Sequence, residues 1–250
     1  MFFSDEIVDA LFLSAFHSLS NHRPRGWWTR PEANRVWNEF LASAYITIVQ
    51  GESANPADSG FLFARKARQI LGMPEEQLLF PDQALKAAAD GFVGPMIFVD
   101  DFIGSGEQFI KTWTRRRSIP GHGRISFEDL PRNSRHPFVY CSAVLTEYGR
   151  SRILRACPTV KLVTGNVIPD TYSWTSAFSI LWPDHERDAG IEFIRRVSAK
   201  IGLGDDAGGE RDWRGFHMLG LGVAFEHSTP DATLPIFHWT ETWRPLVRRS

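Results

Sequence analysis

Apolar residues in the first seventy positions recur at helical spacing. Ile7, Leu11 and Ala15 fall on one face, and Val36, Phe40 and Ala44 fall on another. Asp5, Glu6 and Asp9 punctuate the opening stretch MFFSDEIVDALFLSAF, which therefore reads as an amphipathic first helix rather than an apolar leader with a basic flank. A segment rich in arginine and tryptophan, NHRPRGWWTRPEA, is broken by Pro24, Gly26 and Pro31 and separates the two helices. After a second break, GESANPADSG, Asp58 or Ser59 is placed to cap a helix over residues 60–71 that stops near Gly72 and Pro74. Arg65, Lys66 and Arg68 lie on this helix.

Beyond position 72 the pattern changes to short apolar runs alternating with helical segments. Strands are expected at 77–80, 96–99, 138–145 and 160–163, with helices at 82–90, 107–116 and 148–156 between them. Strand alternating with helix is the signature of parallel strands and crossover helices, hence of an α/β, doubly wound, mainly parallel sheet whose ligands sit at the carboxyl ends of strands. The last third loses this rhythm. A long helical stretch at 174–201, interrupted at WPD, precedes the polar loop GLGDDAGGE, a strand-like run at 219–226 and an aromatic tail expected to pack back on the body. The chain thus divides into N-terminal helices at 1–72, an α/β core at 73–170 and a C-terminal extension at 171–250.

Composition adds little to this reading except in its aromatic content. Nine Trp and nineteen Phe against four Met mean that large rings dominate the core. A net charge of -1 gives no global reason to bind nucleic acid or an anionic membrane. No apolar run approaches the ~20 residues needed to cross a bilayer. Cys141 and Cys157 sit in apolar segments, which suits buried thiols in a reducing, cytoplasmic compartment better than a disulfide. The eight histidines, His185 and His238 among them, form no metal-ligand spacing, and there is no GxSxG elbow. No protein metal site is expected.

Candidate chemistry concentrates in PMIFVDDFIGSGEQF. Four apolar residues, Met96 to Val99, run straight into Asp100 and Asp101, and adjacent acids after a buried strand are costly to place. Gly104, Ser105 and Gly106 then form a small-residue turn that enters a helix at Glu107 or Gln108, so backbone N–H groups can converge on a phosphate at the helix N-terminus. The two carboxylates lie just upstream, where they could accept hydrogen bonds from sugar hydroxyls. A plainer account makes the acids a strand end with one helix cap. A second ligand loop at TGNVIPD, with Asn166 and Asp170, is the weaker candidate.

VDDFIGSG resembles the ribose-phosphate signature of type I phosphoribosyltransferases: apolar residues, two acids, two apolar residues, then Thr/Ser/Gly positions. The resemblance implies that Asp100 and Asp101 hold the ribose 2' and 3' hydroxyls. It implies that Gly104, Ser105, Gly106, Glu107 and Gln108 bind the 5'-phosphate of phosphoribosyl pyrophosphate, with Mg²⁺ accompanying the pyrophosphate. Gly104, Ser105 and Gln108 stand where the family commonly has threonine, and Glu107 sets a negative charge beside the phosphate. The tail is similar to the end of a phosphoribosyltransferase-like family with a C-terminal extension (PRTase-CE-like), with its TP-x-x-TLP turn at Thr229 to Pro235 and its W-x-PL-x-R at Trp243 to Arg248. This second resemblance implies an antiviral role in bacterial conflict systems and a protein partner in a defence cassette.

These resemblances imply a phosphoribosyltransferase-like protein that binds phosphoribosyl pyrophosphate or a nucleotide, and the alternative is a non-catalytic sensor of the same ligand. Two basic clusters have competing readings. Ser59 and Gly60 before Arg65 and Lys66 could cradle pyrophosphate, but a cap followed by a solvated basic face is the favoured reading. Lys111, Arg115, Arg116 and Arg117 could meet nucleic acid, but cations favoured at a helix C-terminus account for them more simply.

Overall fold

The computed structural model describes residues 1–22, 29–50, 59–130 and 137–247. Much of the two sequence breaks, including Pro24, Gly26 and Asp58, lies outside the described residues, as does Arg248. In chain order the elements are β1 (Phe2–Phe3), α1 (Asp5–His17), α2 (Arg30–Ser43), β2 (Tyr45–Ile48), α3 (Ser59–Leu71), β3 (Leu78–Leu79), α4 (Pro81–Ala89), β4 (Met96–Ile103) and α5 (Glu107–Thr114). There follow β5 (Arg117–Ile119), β6 (Gly123–Ile125), β7 (Phe138–Thr146), α6 (Glu147–Ala156), β8 (Val160–Ile168), α7 (Arg187–Lys200) and β9 (Ala224–Phe225).

Five parallel strands form the sheet in the order β3-β2-β4-β7-β8. Alternation along β4 sends Ile97 and Val99 to one face and Met96 and Phe98 to the other. On the first face α1 and α3 bury Phe12, Phe16, Phe63 and Ala67. On the second, α4, α5 and α6 bury Leu85, Phe109, Trp113 and Ile153. Helices on both faces of a parallel sheet make the expected doubly wound α/β fold. A third cluster, built from Ile194, Leu203, Trp213 and Leu234, organises the C-terminal extension.

The structure corrects the sequence reading at several places. β2 lies inside the region read as helical, because the Val36/Phe40/Ala44 periodicity continues into the β-branched run YITI. The buried stripe of α1 is Val8, Phe12, Ala15 and Phe16, one position on from the expected face, and Ile7 is exposed. β4 runs through both acids to Ile103, since the Asp100 carboxylate accepts the Asp101 N–H at 3.0 Å and the Asp101 carboxylate accepts the Phe102 N–H at 2.8 Å. β8 continues to Ile168 because β7 pairs with it as far as Thr146. α5 stops at Thr114, where the β5–β6 hairpin begins. Of the long helix expected at 174–201 only α7 forms, beyond the WPD break, and of the strand at 219–226 only β9 pairs, with β1.

Candidate functional site

The first strand of the sheet, β2, lies in its middle, with β3 on one side and β4, β7 and β8 on the other. The crevice of such a sheet lies where this order reverses, between the carboxyl ends of β2 and β4. Asp100, Asp101 and the 104–106 turn stand at that edge of β4. Thr112 of α5 ties the neighbouring loop to it: its hydroxyl accepts the Gln50 N–H at 3.2 Å and lies 3.0 Å from the Gln50 carbonyl.

The two acids face opposite sides of the sheet and neither is open to solvent, at 3% and 5% exposure. Asp100 accepts a hydrogen bond from the Tyr140 hydroxyl at 2.8 Å. Tyr140 itself stacks on Phe109 of α5, with ring centroids 4.2 Å apart. Burial and the neighbouring Asp100 push the Tyr140 phenol far above its ordinary pKa, so it is a fixed donor to that carboxylate. Asp101 meets His227 Nε2 at 2.9 Å, and the other ring nitrogen meets Asp5 at 3.0 Å.

The turn that follows is shaped for close approach. Gly106, the N-cap of α5, has φ of 72°, a left-handed conformation that a side chain would disfavour. Gly149, in the first turn of α6, lies so near the loop that a Cβ there would collide with the Gly104 carbonyl. The Thr146 hydroxyl donates to that same carbonyl and accepts the Gly149 N–H at 2.9 Å. Arg152 donates to the Ser105 carbonyl at 2.9 Å. At the helix start, the Glu107 N–H reaches Ser105 Oγ at 3.3 Å, and the bond of the Ile110 N–H to the Gly106 carbonyl comes three residues later. The amides of Gln108 and Phe109 therefore remain as the orphan donors of the helix N-terminus.

Glu107 turns toward Lys111, at 2.8 Å, and also bonds the His217 imidazole. The Lys111 hydrogen bond is the main reason its carboxyl sits below the usual carboxylate range, with His217 adding to it. Its negative charge is thus partnered rather than aimed at the turn.

His217 and Met218 have φ of 55° and 58°, a left-handed pair of ordinary residues costing about 1–3 kcal/mol each. They wall a cavity of about 220 Å³ at the carboxyl ends of β7 and β8, with Thr146, Tyr148, Asp170, Ser173 and Ser176 among its other lining residues. Asp170, from the expected second loop, therefore lines this cavity, and Asn166 lies on β8 opposite Val144.

The basic clusters are spent in structure. Lys66 is buried and pairs with Asp9, contrary to the solvated face expected for it, and Arg68 meets Glu75 at 3.1 Å. Arg116 pairs with Asp129 and the buried Arg117 with Asp82. His185 is exposed beside Glu186, and His238 is buried. Tyr140, Arg152, His217 and His227 went unnoticed in the sequence. The two histidine contacts span 110 and 126 residues, so no local spacing announces them.

The doubly wound sheet and the acid pair leading into a glycine turn define a phosphoribosyltransferase-like protein. The chain belongs to the PRTase-CE family, whose family model matches residues 1–249. No curated protein matches the chain. No helix among the described residues is long and apolar enough to cross a membrane.

Proposed function

We propose that the protein binds phosphoribosyl pyrophosphate, or a nucleotide of the same ribose-phosphate shape, at Asp100, Asp101 and the turn Gly104 to Gln108, and transfers the phosphoribosyl group. One observation carries this reading: two carboxylates and the N-terminus of α5 lie side by side at the sheet's order reversal. Asp100 and Asp101 accept the ribose hydroxyls. The Gln108 and Phe109 amides and the dipole of α5 hold the 5'-phosphate. Anchoring the phosphate away from the anomeric carbon puts its binding energy to use at the reacting centre. The cavity beside His217 takes the acceptor, whose nucleophile attacks as the anomeric carbon gains positive charge.

Among the described residues no three carboxylate, imidazole or thiol groups converge on a metal position. The acid pair supplies hard oxygen donors suited to Mg²⁺, and the ligand's own oxygens would hold most of its coordination sphere. Such an ion neutralises charge on the departing pyrophosphate.

The sealing of the acid pair favours a second reading, a non-catalytic sensor whose ligand changes the binding of a protein partner. Either form suits a part in bacterial antiviral defence. A cytoplasmic setting suits the two buried cysteines, since burial holds the Cys157 thiol up at about 12 and Cys141 higher still, keeping both protonated.

The test is calorimetric titration of phosphoribosyl pyrophosphate with Mg²⁺ into wild type and Asp100→Asn/Asp101→Asn, with released pyrophosphate followed in parallel. Binding lost in the double variant supports this site, and pyrophosphate release separates transferase from sensor. A wild type silent toward both this ligand and nucleoside monophosphates sinks both readings.

A further inference from the structure

The C-terminal extension lies over the acid pair and is held there by one residue. β9 pairs in parallel with β1, bringing Phe225 onto Phe3 at 5.3 Å and onto Phe102, the residue after the acids, at 5.7 Å. Two residues beyond β9, His227 enters between Asp5 at the start of α1 and Asp101 of β4. Its ring packs against Phe225 and Phe63, and its side chain is 16% exposed. Other ionisable groups in this corner are occupied: Glu226 accepts the Asp5 N–H at 2.9 Å, and Lys66 of α3 pairs with Asp9 of α1.

A neutral imidazole carries one N–H, so bridging two carboxylates by hydrogen bonds at 2.9 and 3.0 Å requires both nitrogens to donate. The bridge is a property of the cation. We propose that His227 is a proton-operated latch: as imidazolium it holds the extension closed over Asp101, and on losing its proton it gives up one carboxylate and frees the cover to open. His227 is thus a positioning residue for Asp101 and the gate to the ribose site. The latch stands on geometry alone, and its consequence for ligand binding rests on the function proposed above.

Two carboxylates favour the charged ring, with Asp101 the larger influence, against a burial cost that opposes it, and the pKa is raised from 6.5. Closure is therefore complete below 6.5 and weakens as pH rises through the higher folded value.

Amide hydrogen exchange on the full chain, corrected for the intrinsic pH dependence, tests this without any ligand. The reporters are peptides over 96–106 and 219–230, with peptides over 138–146 and 160–168 as internal controls. In wild type, exchange in the reporters should accelerate as pH rises from about 6 to 9, the range in which a perturbed imidazole titrates. In His227→Gln it should be about tenfold faster than wild type at low pH, the loss of one charge-assisted hydrogen bond, and independent of His227 titration. Reporter protection that ignores pH in wild type overturns the latch even if the variant does not fold. Equal acceleration in the control peptides also overturns it, since that is general loosening. Phosphoribosyl pyrophosphate with Mg²⁺ should bind His227→Gln more tightly than wild type at low pH. Opening without binding in either protein would leave the latch standing and remove the ribose-phosphate reading.

Discussion

The imidazole of His227 meets the Asp101 carboxylate at 2.9 Å across 126 residues of chain. Its other nitrogen reaches Asp5, so the beginning, middle and end of the sequence converge on one ring. His217 repeats the arrangement a few ångströms of chain path away, joining the extension to Glu107 at the start of α5. Both halves of the candidate site, the acids and the turn, are therefore touched by the same extension through a histidine on a carboxylate. A ligand that uses the acids and the turn has to contend with both contacts.

Tyr140→Phe should separate the support of the acid pair from its chemistry. The ring stack on Phe109 survives this change, but the buried Asp100 loses its hydroxyl donor. A buried acceptor deprived of its partner costs about 1–3 kcal/mol. Urea unfolding should show that loss, and ligand titration should show weaker binding with the same stoichiometry. Stability equal to wild type would mean that Asp100 does not depend on Tyr140.

The alternation of apolar runs made the sheet legible, and adjacent acids running into Gly104 to Gly106 marked the site, because both signals are local. What escaped depends on chain segments far apart. The four residues of β2 are too few to override the helical spacing of Val36, Phe40 and Ala44 before them. The extension of β4 through Asp100 and Asp101 rests on carboxylates that accept the next residue's amide, which residue type alone does not declare. Lys66 reads as a surface cation until α1 brings Asp9 against it. His227 has no sequence neighbour that explains it.

Gly149→Ala should damage the turn while sparing the sheet. A methyl group there meets the Gly104 carbonyl, which the Thr146 hydroxyl also fixes from the other side, so neither partner can easily withdraw. Overpacking of this kind costs about 1–3 kcal/mol. Hydrogen exchange should rise at 104–109 and remain at wild-type rates over 138–145. A fully protected turn with unchanged melting would show that α6 can shift to absorb the methyl group.

Glu107→Gln should strengthen anion binding. Lys111 and His217 now share the Glu107 carboxylate, and removing its charge releases both toward the turn. Partly exposed ion pairs are worth roughly 0.2–1 kcal/mol, so phosphate affinity should improve a few-fold, and less so at high salt. Titration with inorganic phosphate at two ionic strengths reads this directly. Weaker binding in the variant would make Glu107 part of the site rather than a neighbour to it.

Asp212 offers a prediction about the extension itself. Its side chain is fully buried and accepts N–H groups of Asp206 at 3.1 Å, Gly208 at 2.9 Å and Arg214 at 3.0 Å, besides the Arg214 guanidinium at 2.8 Å. Burial, the largest single influence, works to raise its pKa, but the Arg214 side chain and these three amides outweigh it and bring the value from 3.8 down to about 2. A folded pKa below the unfolded one means stability that is complete above 3.8 and disappears as pH falls through about 2. That interval corresponds to about 2 kcal/mol. Asp212→Asn should therefore unfold earlier than wild type in urea at pH 7, and the gap should close as both are titrated from pH 4 toward pH 2. The gap must narrow because protonation removes from wild type the same charge that the substitution removed. A gap that stays constant with pH would place the cost in the lost shape of the 205–214 loop instead, and charge would have no part in holding the extension together.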